Sequence, residues 1–233
     1  MDTKLMGILN LTPDSFFAPS RQNFAILESG ADIIDIGAVS TRPGWTDVPV
    51  EEEWARLEPV LKRLPRDLPV SVDTFRAEIV RRCLETLGRP FWVNDVFAGE
   101  ADPRMLPLVA AEHLPYVAMH HTGYRRLSDV TDFFTRFART ADSLGIGEWI
   151  LDPGFGFGKD VTHGWRLLRH LDGLKAFGRP VLVGVSRKRM TSGSAEITEQ
   201  AHRLALEKGA DILRVHDVAA ARKTLQDYSS PVR

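Results

Sequence analysis

The chain has 233 residues, a formal net charge of −1 at pH 7 and 43% hydrophobic residues. That length is enough to bury a large fraction of its surface in one core, and the near-neutral charge excludes whole-molecule attraction to nucleic acid or to an anionic membrane. No long apolar span or secretory leader precedes the first apolar run, so a cytoplasmic protein with neither membrane nor nucleic-acid partner is expected.

In chain order, eight short apolar, β-branched runs read as strands: LMGIL (5–9), IIDIG (33–37), VSV (70–72), FWV (91–93), YVAM (116–119), WIL (149–151), VLVGV (181–185) and ILRV (212–215). Most lack alternation. Amphipathic stretches lie between them, such as FRAEIVRRCLETL (75–87) after the third and TEQAHRLALEKG (198–209) before the eighth. Continuous apolar strands separated by helices indicate a parallel sheet covered by helices, and eight such units predict a (β/α)8 TIM barrel in a single domain spanning residues 1–233. No linker, internal repeat or low-complexity segment divides the chain. The acidic run at 51–53 is expected to cap and solvate the helix after Pro49. Cys83 cannot form an internal disulfide, falls in a helical pattern, and reads as a reduced, packed thiol.

Each strand is followed at once by polar groups: Asn10, the stretch 40–42, Asp73, Asn94 with Asp95, His120, Asp152, the stretch 186–188, and His216 with Asp217. In a (β/α)8 barrel these ends converge on one face, where active sites lie. The densest signal is LDPGFGFGK (151–159), a buried-type strand ending in Asp152 and stopped by Pro153 and Gly154, with Phe155 and Phe157 able to line a flat pocket. Its glycines do not make a Walker A loop, because Pro153 stands where the first glycine should be and Asp160 follows Lys159. Nor do they fit the dinucleotide fingerprint. Adjacent His120 and His121 raise a metal site, but neighbours on a strand point oppositely and strand one has no His-x-His pair. Asp73 with Thr74 could simply cap the next helix, and Asn94 could end its strand in a turn.

The series MGILNLTPDSF (6–16), DIGAVSTRPG (35–44), VSVDTF (70–75), VND (93–95), MH (119–120), LDPGFGFGK, VGVSRK (183–188) and RVHDV (214–218) resembles, in order and over nearly the whole chain, the motifs of dihydropteroate synthases. The resemblance implies a barrel that joins 6-hydroxymethyl-7,8-dihydropterin diphosphate to 4-aminobenzoate, releasing diphosphate, in folate synthesis. It places Asp73, Asn94, Met119, Asp152 and Lys188 around the pterin, with Asp152 accepting two ring-edge donors, which suits an acceptor-only carboxylate. Asn10, Arg214 and His216 are implied for the diphosphate, with Asn10 also toward Mg2+, an ion that keeps much of its water and bridges phosphate oxygens. Phe16, Thr41, Arg42, Pro43, Phe157 and Ser186 are implied for 4-aminobenzoate, Ser186 together with amides at the start of a following helix. Asp73, Lys188, Arg214 and His216 are the groups expected to act on the reacting centre, and a homodimer is implied. Core packing is the plainer reading of Phe157.

The chain departs from the family where Gly37, Ala38 and Val39 precede Ser-Thr-Arg-Pro and where Gly164 follows His163. The stretches after Arg21, Tyr124 and Met190 are also short: only about two helical turns fit between Arg21 and Gly30 at about 1.5 Å per residue. Missing residues at these places are the expected reading, trimmed loops the other. A pterin-dependent corrinoid methyltransferase and a non-catalytic pterin-binding homologue are the alternative functions; the first should not need SRK and RVHDV.

Overall fold

The computed structural model describes residues 3–12, 24–40 and 47–230. Among these the strands are β1 (Lys4–Asn10), β2 (Ile33–Gly37), β3 (Val70–Asp73), β4 (Trp92–Asp95), β5 (Tyr116–Met119), β6 (Trp149–Asp152), β7 (Leu182–Val183) and β8 (Ile212–Val215). The α-helices are α1 (Val50–Leu61), α2 (Ala77–Leu87), α3 (Met105–Ala111), α4 (Leu127–Leu144), α5 (Val161–Arg169), α6 (Ala195–Glu207) and α7 (Val218–Ser229). The strands pair in parallel in the order β6-β5-β4-β3-β2-β1-β8-β7, and a bridge between Leu151 and Val181 joins the two ends into the expected barrel.

The missing alternation has a physical cause. One face of every strand packs outward against helices: Ile34, Ile36, Val72, Val93, Ala118, Leu151 and Leu213 are all buried in that outer core. The other face begins apolar too, because Met6, Ile33, Val117, Ile150, Leu182 and Ile212 cluster inside the barrel with Trp92 against them. Polar side chains enter only at the last inward step. Two residues beyond Ile33, Trp92, Val117, Ile150, Leu182 and Ile212, on the same face, stand Asp35, Asn94, Met119, Asp152, Gly184 and Arg214. The apolar plug is the floor, and the polar layer above it opens to the C-terminal ends of the strands.

Local chemistry sets the helices. In α2, Ile79, Val80 and Cys83 are buried, the opposite face pairs Glu78 with Arg81 and Arg82, and Gly88 in the left-handed conformation ends the helix. Asp160, Ser194 and Asp217 cap α5, α6 and α7 by accepting the N–H groups of His163 (2.7 Å), Ile197 (3.2 Å) and Ala220 (2.9 Å). Asp217, one of the polar strand-end residues, is thus a helix cap.

One alternative falls and one expectation changes. Asp73 and Thr74 do not cap α2; the Ala77 N–H donates instead to Asp102 Oδ2 at 3.0 Å. Glu53 is not solvated: it is fully buried, accepts from Thr74 Oγ1 at 2.7 Å and is ion-paired with Arg76, which also holds Asp47. The stretches after Tyr124 and Met190 are built of turns. Asp129 Oδ2 accepts from the N–H groups of Arg125 (2.7 Å) and Arg126 (2.9 Å), and the Thr191 N–H donates to Lys188 O at 2.9 Å. Between β1 and β2 the described helical piece is a 3-10 turn, Phe24–Glu28; the start of that connection lies outside the described residues.

Candidate active site

A cavity of about 1140 Å³ opens at the C-terminal mouth of the barrel. Asn10, Asp73, Asn94, Met119, Asp152, Phe157, Ser186, Lys188, Arg214 and His216 all line it, brought together from six strands and the segments that follow β6, β7 and β8. Phe16, Thr41, Arg42 and Pro43 lie outside the described residues.

Asp152 ends β6 with Oδ1 accepting the Gly154 N–H at 2.7 Å. Burial raises its carboxyl above the usual range, opposed by the charge of Lys188. The glycine loop beyond it is shaped by close approach. Gly154 has φ 70° and a Cβ there would stand 2.0 Å from the His120 carbonyl oxygen, so no other residue fits. Phe155 and Phe157 both line the cavity, Phe155 fully buried and packed into the core, Phe157 half-buried with Lys188 Nζ 5.1 Å from its ring centroid. Lys188 Nζ also donates to the Phe155 carbonyl. The loop therefore braces a lysine and presents an aromatic ring.

Opposite Asp152 lies a charged network. Arg214 Nε donates to Asp35 Oδ2 at 2.6 Å, and its Nη2 donates to Asp73 Oδ2 at 2.7 Å. Asn94 Nδ2 donates to the same Asp35 oxygen at 3.1 Å. Burial raises the Asp73 carboxyl to about 7, with Arg214 pulling it down and Asp35 pushing it further up. Burial works against the Arg214 charge, but Asp35 and Asp73 outweigh it and hold the guanidinium firmly protonated. Arg214, expected as a grip for phosphate alone, is thus also tied to two carboxylates.

On the third side, Ser186 Oγ accepts the His216 N–H at 3.4 Å and lies 3.1 Å from His216 Nδ1. The helix start expected next to Ser186 is not there. Arg187 has φ 57°, and the next helical piece is the 3-10 turn Arg189–Thr191; α6 starts only at Ala195, so no α-helix N-terminus adjoins Ser186.

Two residues of this site were not singled out from sequence. Asp35 is fully buried beneath the cavity, and its signal was an acid at the inward parity of an otherwise apolar strand. Lys159 is 4% exposed and donates to Phe157 O at 2.9 Å and His120 O at 3.2 Å, with Nζ 2.9 Å from His120 Nδ1. Burial lowers its ammonium to about 7, and burial with the Lys159 charge lowers His120 to about 4, so the imidazole is a neutral acceptor. His121 is turned away toward Glu100 at 3.3 Å. Among the described residues no group of three or more His, Cys, Asp and Glu is placed to hold a metal ion.

A family model described as "Pterin binding enzyme" matches residues 6–216. The dihydropteroate synthase of Streptococcus pyogenes is 38% identical, over 93% of this chain and 91% of its own. The folic acid synthesis protein fol1 of Pneumocystis carinii is 36% identical over 93% of this chain, a match that spans 34% of that longer protein. Among solved structures, the dihydropteroate synthase of Xanthomonas albilineans with 4-aminobenzoic acid superposes with a TM-score of 0.88 at 38% identity, covering 98% of this chain and 94% of that one. The enzyme from Clostridium difficile, in the presence of pteroic acid, gives 0.86 at 36% identity and 98% coverage of both chains. A polar layer on an apolar barrel floor, an acid beside a glycine loop and a cationic rim are thus set out on the barrel these proteins share, and the chain belongs to the dihydropteroate synthase family of pterin-binding enzymes.

Proposed function

We propose that this protein catalyses the condensation of 6-hydroxymethyl-7,8-dihydropterin diphosphate with 4-aminobenzoate to 7,8-dihydropteroate and diphosphate, a transferase step of folate synthesis. The observation that carries it is the convergence of Asp73, Asn94, Asp152, Lys188, Arg214 and His216 on one cavity at the barrel mouth. Asp152 and Asn94 suit a flat heterocycle with amine and N–H donors on one edge, and Lys188 suits its carbonyl. Met119 gives the ring an apolar wall. The cationic side, with Arg214 and His216, suits a diphosphate, which a methyl transfer from a folate would not require.

In the reaction the C–O bond to diphosphate breaks with its electron pair leaving on oxygen, the arylamine nitrogen attacks the pterin methylene, and the amine gives up a proton. Arg214 and His216 would stabilise the departing charge, while ionised Asp73 and Asp152 would balance a cationic ring. Ser186 and Phe157 would orient the flat second substrate, along with Phe16, Thr41, Arg42 and Pro43. The donor set fits Mg2+ carried mainly by water and diphosphate, with the Asn10 amide oxygen at the rim as the protein's contribution; the ion would neutralise charge on the leaving group.

Family resemblance supports a homodimer, which light scattering tests. No helix among the described residues is long and apolar enough to cross a membrane. Incubation with both substrates and Mg2+, followed as diphosphate release, is the deciding experiment: release dependent on 4-aminobenzoate is expected. Pterin binding without release would instead favour the non-catalytic homologue.

A further inference from the structure

The polar layer of the barrel contains a carboxylate that does not line the cavity. Asp35 is fully buried on β2, and a single oxygen, Oδ2, accepts from both Arg214 Nε (2.6 Å) and Asn94 Nδ2 (3.1 Å). Its other oxygen, Oδ1, is buried with no hydrogen-bond partner among the described residues. A carboxylate buried so deeply is a costly thing to keep for packing alone, since an apolar residue of similar size would fill the space without that cost.

We infer that Asp35 is a positioning residue: from beneath the cavity it fixes the orientation of the Arg214 fork and the Asn94 amide that face the substrates. This rests on the function proposed above. An ionised carboxylate only accepts, so Asn94 must turn its NH2 toward Asp35, and its carbonyl oxygen is thereby the atom left for a ligand. The Asn94 site is committed to meeting a donor on the heterocycle. Arg214 is handled the same way. Asp35 takes Nε at the root of the guanidinium, which sets the plane of the fork. Asp73, on β3 at the cavity wall, takes Nη2 at its tip. The tip contact can exchange for an anion while the root contact stays, so the arginine arrives at a departing diphosphate already aimed. Gly37 makes room for this arrangement. A Cβ there would stand 3.1 Å from Asp73 Cβ, pressing the second carboxylate away from the guanidinium.

The test uses kcat and KM of the whole protein for Asp35→Asn, Arg214→Ala and the double variant. Asp35→Asn keeps the volume and one acceptor but loses the charge that anchors Arg214. It is expected to lower kcat about 100-fold, the scale of a misaimed catalytic group, with a smaller effect on KM for 4-aminobenzoate. In the Arg214→Ala background the same change should cost less than about threefold, because residues that act as a unit are not additive. Losses that multiply, or an Asp35→Asn variant as active as the parent, overturn the inference. A second measurement needs neither turnover nor a folded variant. In the unaltered protein the Arg214 Nε–H resonance should be protected from solvent exchange, and should stay protected when inorganic diphosphate is added. Exchange as fast as that of an exposed guanidinium, or loss of protection on adding diphosphate, refutes the Asp35 anchor. Absence of turnover by the parent, by contrast, refutes the proposed reaction and leaves the resonance to decide the role of Asp35.

Discussion

Two carboxylates of the cavity differ in what surrounds them, and that difference is measurable. Asp152 has one oxygen held by the Gly154 N–H and faces Lys188 as its main countercharge. Asp152→Asn should therefore leave the fold intact, since an amide carbonyl can still accept from Gly154. It would set an NH2 against a ligand donor, and pterin affinity should fall by about 1.5–3 kcal/mol, as for a charged hydrogen-bond partner lost from a buried site. Calorimetry with a pterin analogue decides it; unchanged affinity removes Asp152 from the pterin contact. Asp73 is the titrating one. Burial puts its carboxyl at about 7, above the ordinary carboxylate value of 3.8. For an acid raised in this way the folded state favours the proton. Its contribution to stability is thus complete below the ordinary value and is lost as pH rises toward 7. Catalysis needs the opposite form, because only ionised Asp73 can balance a cationic ring. The profile of kcat/KM should rise with pH through about 7, the limb reporting the unliganded enzyme, and Asp73→Asn should abolish that limb. A profile flat from about pH 6 to 8 in the parent protein would remove Asp73 from this role.

At the scale of elements, the glycine loop after β6 is the part whose sequence was easiest to notice and hardest to interpret. Counting glycines excluded two phosphate loops, but the reason for Gly154 lies in the His120 carbonyl, far earlier in the chain, and no local pattern contains that contact. Gly154→Ala should cost at least about 2 kcal/mol, combining left-handed backbone strain with a backbone clash, and denaturant unfolding measures it. A cost below about 0.5 kcal/mol would mean the loop relocates freely. The same division runs through the site. Asp73, Asn94, Asp152 and Arg214 were legible because each ends or closely precedes the end of a recognisable strand. Asp35 was hidden two residues deeper, where only the inward parity distinguishes it. The burial of Glu53 is not legible in the sequence, because an acid in the first turn of a helix is usually solvated and its buried partner Arg76 comes from a different β/α unit. The segment after Ser186 is not legible either, because strand seven leads into a 3-10 turn before its helix, a choice between helix types that a short polar run does not encode.

Taken whole, the barrel is not equally tight around its circumference. β1 and β2 are paired over five positions, whereas β6 and β7 meet through the single bridge of Leu151 with Val181 and the Leu151 N–H donating to Pro180 O at 2.9 Å. That weak join runs between the strand that ends in Asp152 and the strand that leads to Ser186 and Lys188, so any spreading of the join spreads the two lips of the cavity. A pterin contacting both Asp152 and Lys188 would act as a staple across a seam. Affinity and backbone breathing then become two readings of one free energy: if only the closed seam binds, ligand at about 100 times its Kd stabilises closure by about 2.7 kcal/mol, and the Leu151 amide should exchange about 100-fold more slowly. Amides in the β1–β2 ladder, which do not open with the seam, should keep their rates. Uniform slowing of both sets would mean that the barrel opens only as a unit, and that the seam is no looser than the rest of the wall.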